Sequence, residues 1–122
     1  MSWLKRLFGG ESQPLEPVRT QADFQAMVTD SPLPVIVDIW SESCPPCRRL
    51  MPVLEGVAAR HAERVRVVEI STAADPVLLS GLGVRSTPTL IIFDGGEEVG
   101  RVTGFRPPNW FDEMIAAEFP EA

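Results

Sequence analysis

With 122 residues, 44% hydrophobic and 23% charged, the chain has the size and balance of one globular domain that can bury a core without disulfide staples. Its net charge of -6 speaks against non-specific nucleic-acid binding, which needs clustered Lys and Arg against phosphate. The only two cysteines are spaced Cys44-Pro45-Pro46-Cys47, which excludes a secreted disulfide framework and makes a reducing, cytoplasmic compartment the expectation.

Residues 1–17 read as an appendage, because Gly9-Gly10, Pro14 and Pro17 break regular structure. The start, MSWLKRLFGG, has charges interrupting every apolar run, so neither a signal peptide nor a membrane span of roughly 20 apolar residues is expected. Trp3, Leu4, Leu7 and Phe8 fall on one helical face, with Lys5 and Arg6 opposite. Residues 1–8 therefore read either as a short amphipathic helix that touches a membrane or partner, or as a disordered end. A length under three turns favours the second.

The domain proper is expected over residues 18–122. Thr20 can cap a helix over Gln21 to Thr29, with Phe24, Met27 and Val28 as its apolar face. Pro32-Leu33-Pro34 is a turn. Val35 to Trp40 is a nearly unbroken β-branched run, the pattern of a central strand covered on both faces. Asp38 is the anomaly in it, since a lone acid among apolar neighbours is costly without a task or partner. A helix is expected from about Pro46 to Ala62, with Leu50, Leu54, Val57 and Ala58 inward and a kink at Pro52. Val65 to Ile70 is a second buried strand. Asp75-Pro76 opens a short helix that ends near Gly81 or Gly83. Thr89 to Phe93, the turn Asp94-Gly95-Gly96 and Glu97 to Thr103 form a hairpin broken at Gly104. Pro107-Pro108 leads into a last helix through Trp110, Met114 and Ile115. This order predicts an α/β domain, a mixed central β-sheet flanked by helices on both faces.

The cysteine pair lies just past the carboxyl end of a central strand, where open α/β sheets place their sites, and it opens a helix. Free N–H groups and the positive dipole end there stabilise a thiolate, the species that attacks disulfides. Two intervening residues let the pair close a disulfide across one turn. The residue before each proline is biased toward extended backbone, so Cys44 and Pro45 are expected outside the helix, with the first turn at Pro46. Cys44 would then be exposed and attacking, and Cys47 would face inward. Neither proline has an N–H, so Cys47 is the nearest following backbone donor for the Cys44 sulfur.

Two other readings of the pair exist. A zinc site wants about four N or S ligands. Here only His61, read as a solvated residue near a helix end, could join the cysteines, so the metal would have to bridge two chains. A purely structural disulfide is disfavoured in a reducing cytosol.

The residues also resemble the thioredoxin family. Val37-Asp38-Ile39-Trp40-Ser41-Glu42-Ser43-Cys44-Pro45-Pro46-Cys47, with Pro52 beyond, is similar to that family's strand, active site and kinked helix. Val84 to Leu90 is similar to the segment around its cis-proline, and Phe93 to Glu97 with Gly104 to its terminal hairpin and substrate-facing glycine. The likeness covers about residues 18 to 119. It implies the thioredoxin fold, with Cys44 as nucleophile and Cys47 as resolving thiol. It also implies a cis Pro88 that presents the Thr87 backbone to substrate, with Gly104 and Phe105 beside it. Asp38 would be a buried general base or proton relay beneath Cys47. Trp40 would brace the active-site helix, or be a plain core aromatic.

The sequence departs from the family at Ser43, usually tryptophan, and at Pro45, usually glycine. Glu69 stands where a basic residue commonly neighbours the buried acid. If Glu69 points inward, two carboxylates share the site and one holds its proton to higher pH. Thr72, Ser86 and Thr87 make the substrate-facing positions more polar. The expected function is thiol-disulfide oxidoreductase, reducing protein disulfides as a monomer. The redox-active Cys44–Cys47 pair would be its only redox group, with no other cofactor and no metal, and a thioredoxin reductase is the expected type of electron donor. The alternatives are a protein-binding module with incidental redox activity and an inter-chain metal site.

Overall fold

The computed structural model describes residues 11–120. Its five-stranded sheet has the order β1-β3-β2-β4-β5, from strands Glu16–Pro17 (β1), Val35–Trp40 (β2), Arg66–Ser71 (β3), Thr89–Asp94 (β4) and Glu97–Thr103 (β5). Strands β1, β3 and β2 run parallel, while β4 is antiparallel to both β2 and β5. Helices α2 (Pro45–Arg60) and α4 (Pro108–Glu118) cover one face. Helix α1 (Gln21–Phe24) and helix α3 (Pro76–Leu82) cover the other.

The period-2 alternation of strands divides the core in two. Val35, Val37 and Ile39 of β2 point to the α1/α3 side with Val68, Ile70 and Ile91. Ile36 points to the α2/α4 side with Leu50, Leu54, Val57, Leu90, Phe111 and Ile115. Asp38, in phase with Ile36, shares that second side. Each such buried aliphatic or aromatic side chain contributes about 1.5–3 kcal/mol, so both helix layers are held firmly against β2.

Several local expectations are modified. The helix expected over Gln21 to Thr29 spans those residues, α-helical over Gln21–Phe24 and π-helical over Gln25–Thr29. Helix α2 begins at Pro45, not Pro46: Cys44 is extended (φ -116, ψ 96) as the N-cap, and Pro45 occupies the first turn. Proline's fixed φ already suits that position, where its missing N–H costs nothing. The helix runs through Pro52 and ends at Arg60. Strand β3 is shifted by one residue relative to Val65–Ile70.

The sheet also starts earlier than the boundary drawn at Val18. Glu16 and Pro17 pair with Val68 and Glu69, and Leu15 is buried in the α2-side core. The amphipathic reading of residues 1–8 falls outside the described residues. At the hairpin, Gly95 (φ 61) and Gly96 (φ 82) both take the left-handed backbone that a tight I′ turn requires.

Candidate active site

Strand β2 ends at Trp40, and the chain turns through Ser41-Glu42-Ser43 into the start of α2. Ser43 adopts φ 58, a positive value uncommon for a residue with a Cβ. Cys44 and Cys47 are joined as a disulfide. The Cys47 N–H donates to Cys44 Sγ at 3.3 Å, the contact that the two donor-less prolines left to it. The pair therefore caps α2 with sulfur at the positive end of its dipole.

Cys44 was expected to be exposed, and it is not: 8% of its surface is accessible, against 3% for Cys47. The cause is the loop that leans on it. Cys44 Sγ lies 3.7 Å from the carbonyl oxygen of Thr87, and the Thr87–Pro88 peptide is cis. That loop is tied on both sides. The hydroxyls of Ser41 and Thr87 are 2.6 Å apart, and Gly104 N–H donates to Pro88 O at 2.9 Å. Cys44, Thr87, Pro88 and Gly104 thus meet at one end of the sheet, with Phe105 exposed beside them and the Arg49 guanidinium 5.9 Å from its ring centroid.

On the other side of the disulfide is an open groove of about 630 Å³, walled by Trp40, Met51 and Pro52 and reaching Ser43 and Cys47. Its lining is chiefly apolar. Ser43 has no side-chain bulk with which to cover it.

The sheet carries two acids in register, near the end of β2 that leads to the cysteines. Asp38 on β2 is the direct partner of Glu69 on β3, and parallel register puts them on the same face. Asp38 is fully buried, and neither carboxyl oxygen has a hydrogen-bond partner among the described residues. Burial, and secondarily the Glu69 carboxylate, raise its pKa from 3.8 to about 7. Glu69 is half-buried and accepts a 2.8 Å hydrogen bond from Trp40 Nε1. Trp40 is thus more than a core aromatic, because its indole links the acid pair to the groove.

His61 does not behave as the solvated residue expected. Its ring Nε2 is 2.7 Å from Asp112 Oδ1, at the end of α2 remote from the cysteines. Among the described residues no group of three or more His, Cys, Asp or Glu is placed to hold a metal ion. Nor is any described helix long and apolar enough to cross a membrane. The Ser41–Thr87 hydroxyl pair and the Arg49–Phe105 stack were not read from the sequence. Their only signal there was polar and basic residues in segments of no shared periodicity.

The thioredoxin family model matches residues 16–117, which includes every element of this site. The chain belongs to the thioredoxin family. It is 41% identical over 96 residues to thioredoxin 1 of Nostoc, covering 79% of this chain and 90% of that one. It is 42% identical over 91 residues to a Synechocystis thioredoxin, at 75% and 85% coverage. Among solved structures, a mutant thioredoxin from Halobacterium salinarum superposes with a TM-score of 0.79 at 29% identity, covering 93% of this chain and 96% of that one. Family membership and the Cys44–Cys47 pair make the chain a thiol-disulfide oxidoreductase with disulfide reductase activity.

Proposed function

We propose that Cys44 is the attacking thiol and Cys47 the resolving thiol of a dithiol cycle that reduces disulfides in proteins. The observation that carries this is the placement of Cys44 Sγ, at the start of α2 and 3.7 Å from Thr87 O. In the reduced protein the Cys44 thiolate attacks one sulfur of a substrate disulfide. The other substrate sulfur leaves as a thiolate and takes up a proton. Cys47 then attacks Cys44, releasing the second substrate thiol and closing the Cys44–Cys47 disulfide. One substrate disulfide is reduced and two protein thiols are oxidised.

Cys44 is the more accessible residue of the pair, 8% against 3%, and its contact with Thr87 and the Gly104–Pro88 hydrogen bond support a substrate chain running past Thr87, Pro88, Gly104 and Phe105. Asp38, on the sheet face that α2 covers, titrates near neutrality and so can accept the Cys47 proton during resolution. A flavoprotein of the thioredoxin reductase type would return the two electrons, and the expected setting is a monomer in the cytoplasm.

Turnover of an insulin-type protein disulfide with dithiothreitol tests the cycle. Wild type should exceed the uncatalysed rate, Cys44→Ser should not, and Cys47→Ser should accumulate mixed disulfides. Equal slow rates for wild type and Cys44→Ser would sink the assignment.

A further inference from the structure

Charge is unevenly placed on this acidic chain. Three of its arginines are neutralised locally: Arg60 by Asp112, Arg66 by Glu16 and Arg101 by Glu98. The segments that build the site, residues 41–49, 85–88 and 104–106, carry Arg48, Arg49, Arg85 and Arg106 against a single acid, Glu42. None of these four forms an ion pair among the described residues.

They lie on the segments that carry or adjoin the cysteines, Thr87 and Gly104. Arg48 and Arg49 directly follow Cys47, and Arg49 stacks on exposed Phe105. Arg85 is exposed two residues before Thr87. Arg106 donates to the carbonyls of Thr103 and Phe105, which holds its guanidinium beside Gly104. Serine and threonine hydroxyls take up much of the rest of this rim, at Ser43, Ser86 and Thr87.

We propose that this face selects protein disulfides flanked by acidic side chains, with Arg48, Arg49, Arg85 and Arg106 as the specificity-determining groups. The inference rests on the reductase cycle above and names its substrate class. Guanidinium groups pair carboxylates in bidentate fashion and are weakly hydrated, so they suit a transient interface. The net charge of -6 over the whole chain opposes an acidic partner at long range, while these four arginines attract it locally. The local attraction thus orients the partner with its disulfide toward Cys44. Fields of this kind raise association rates by about 10- to 1,000-fold at low salt.

The test uses the full reduced chain and three disulfide-bonded peptides that differ only in flanking Glu, Gln or Lys. At low ionic strength the Glu peptide should be reduced about 10-fold faster than the Gln peptide, and the Lys peptide should be slowest. Raising salt until the screening length falls to about 5 Å should bring the three rates within about twofold. Arg85→Gln, at an exposed position without an ion-pair partner among the described residues, should lower the Glu-to-Gln rate ratio several-fold with an unchanged melting temperature. Equal rates for the three peptides, or a ratio indifferent to salt, would overturn the selectivity and leave disulfide reduction standing. Failure to reduce any of the three would overturn both.

Discussion

Trp40 and Glu69 are joined across adjacent parallel strands by a 2.8 Å hydrogen bond from the indole Nε1 to Oε1. Glu69 is at the same time the register partner of Asp38. One carboxylate therefore fixes a wall of the apolar groove and raises the pKa of the buried acid. The two roles separate by substitution. Glu69→Gln keeps an acceptor for the indole and removes the carboxylate, so the Asp38 pKa should fall from about 7 while staying above its ordinary 3.8, because desolvation is the larger cause. Glu69→Lys should lower it further and release the indole. The pH profile of mixed-disulfide resolution should move the same way. Profiles superposable on wild type in both variants would mean that Glu69 exerts no field at Asp38.

The same acid makes stability depend on pH. Asp38 binds its proton more tightly folded, at about 7, than unfolded, near 3.8. The folded state therefore holds the extra proton between those values, and stability falls as pH rises through that window. The total cost above pH 7 is on the order of 4 kcal/mol, since one pKa unit corresponds to about 1.4 kcal/mol. Between about pH 5 and pH 8.5 wild type should lose roughly 2–3 kcal/mol that Asp38→Asn does not lose. Urea unfolding of both proteins at the two pH values measures the difference, and parallel curves would show that Asp38 titrates normally.

How much of this was legible in the sequence differs by element. The run Val35–Trp40, the apolar spacing of Leu50, Leu54 and Val57, and the Asp94-Gly95-Gly96 turn announce themselves, because periodicity and turn chemistry are local signals. Cys44 and Cys47 were equally plain. The accessibility of Cys44 was not, since it is set by Thr87, 43 residues further along the chain. The strand Glu16–Pro17 is illegible for another reason. Two residues, one of them proline, carry no period, and an edge position is where a strand tolerates the missing N–H. The pairing of His61 leaves no local signal because Asp112, its partner, comes from another helix.

The contact of Ser41 with Thr87 ties the end of β2 to the loop that covers Cys44. A neutral hydroxyl pair of this kind contributes about 1 kcal/mol net. Ser41→Ala and Thr87→Val should each destabilise by about that amount, and the double variant by less than their sum, giving a coupling of about 0.5–1 kcal/mol. Both variants should also raise the KM for protein disulfides more than they lower kcat, because they loosen the loop rather than remove a reacting atom. Strict additivity in the cycle would show that the two hydroxyls do not interact in solution.

The start of the folded unit can be located by truncation. Chain begun at Glu11 retains buried Leu15, the β1–β3 pairing, the Arg66–Glu16 ion pair and the bond from Gln13 N–H to Glu55 O. Chain begun at Val18 loses all four. Leu15 alone contributes about 1.5–3 kcal/mol by burial, while the half-exposed ion pair adds 1 kcal/mol or less, on the order of other surface pairs. The Val18 truncation should therefore be at least about 2 kcal/mol less stable than the Glu11 truncation in denaturant unfolding. It should retain disulfide reductase activity at low temperature, because no residue at Cys44, Thr87 or Gly104 is touched. Equal midpoints for the two would place the boundary at Val18 and make β1 an ornament of the sheet rather than part of its core.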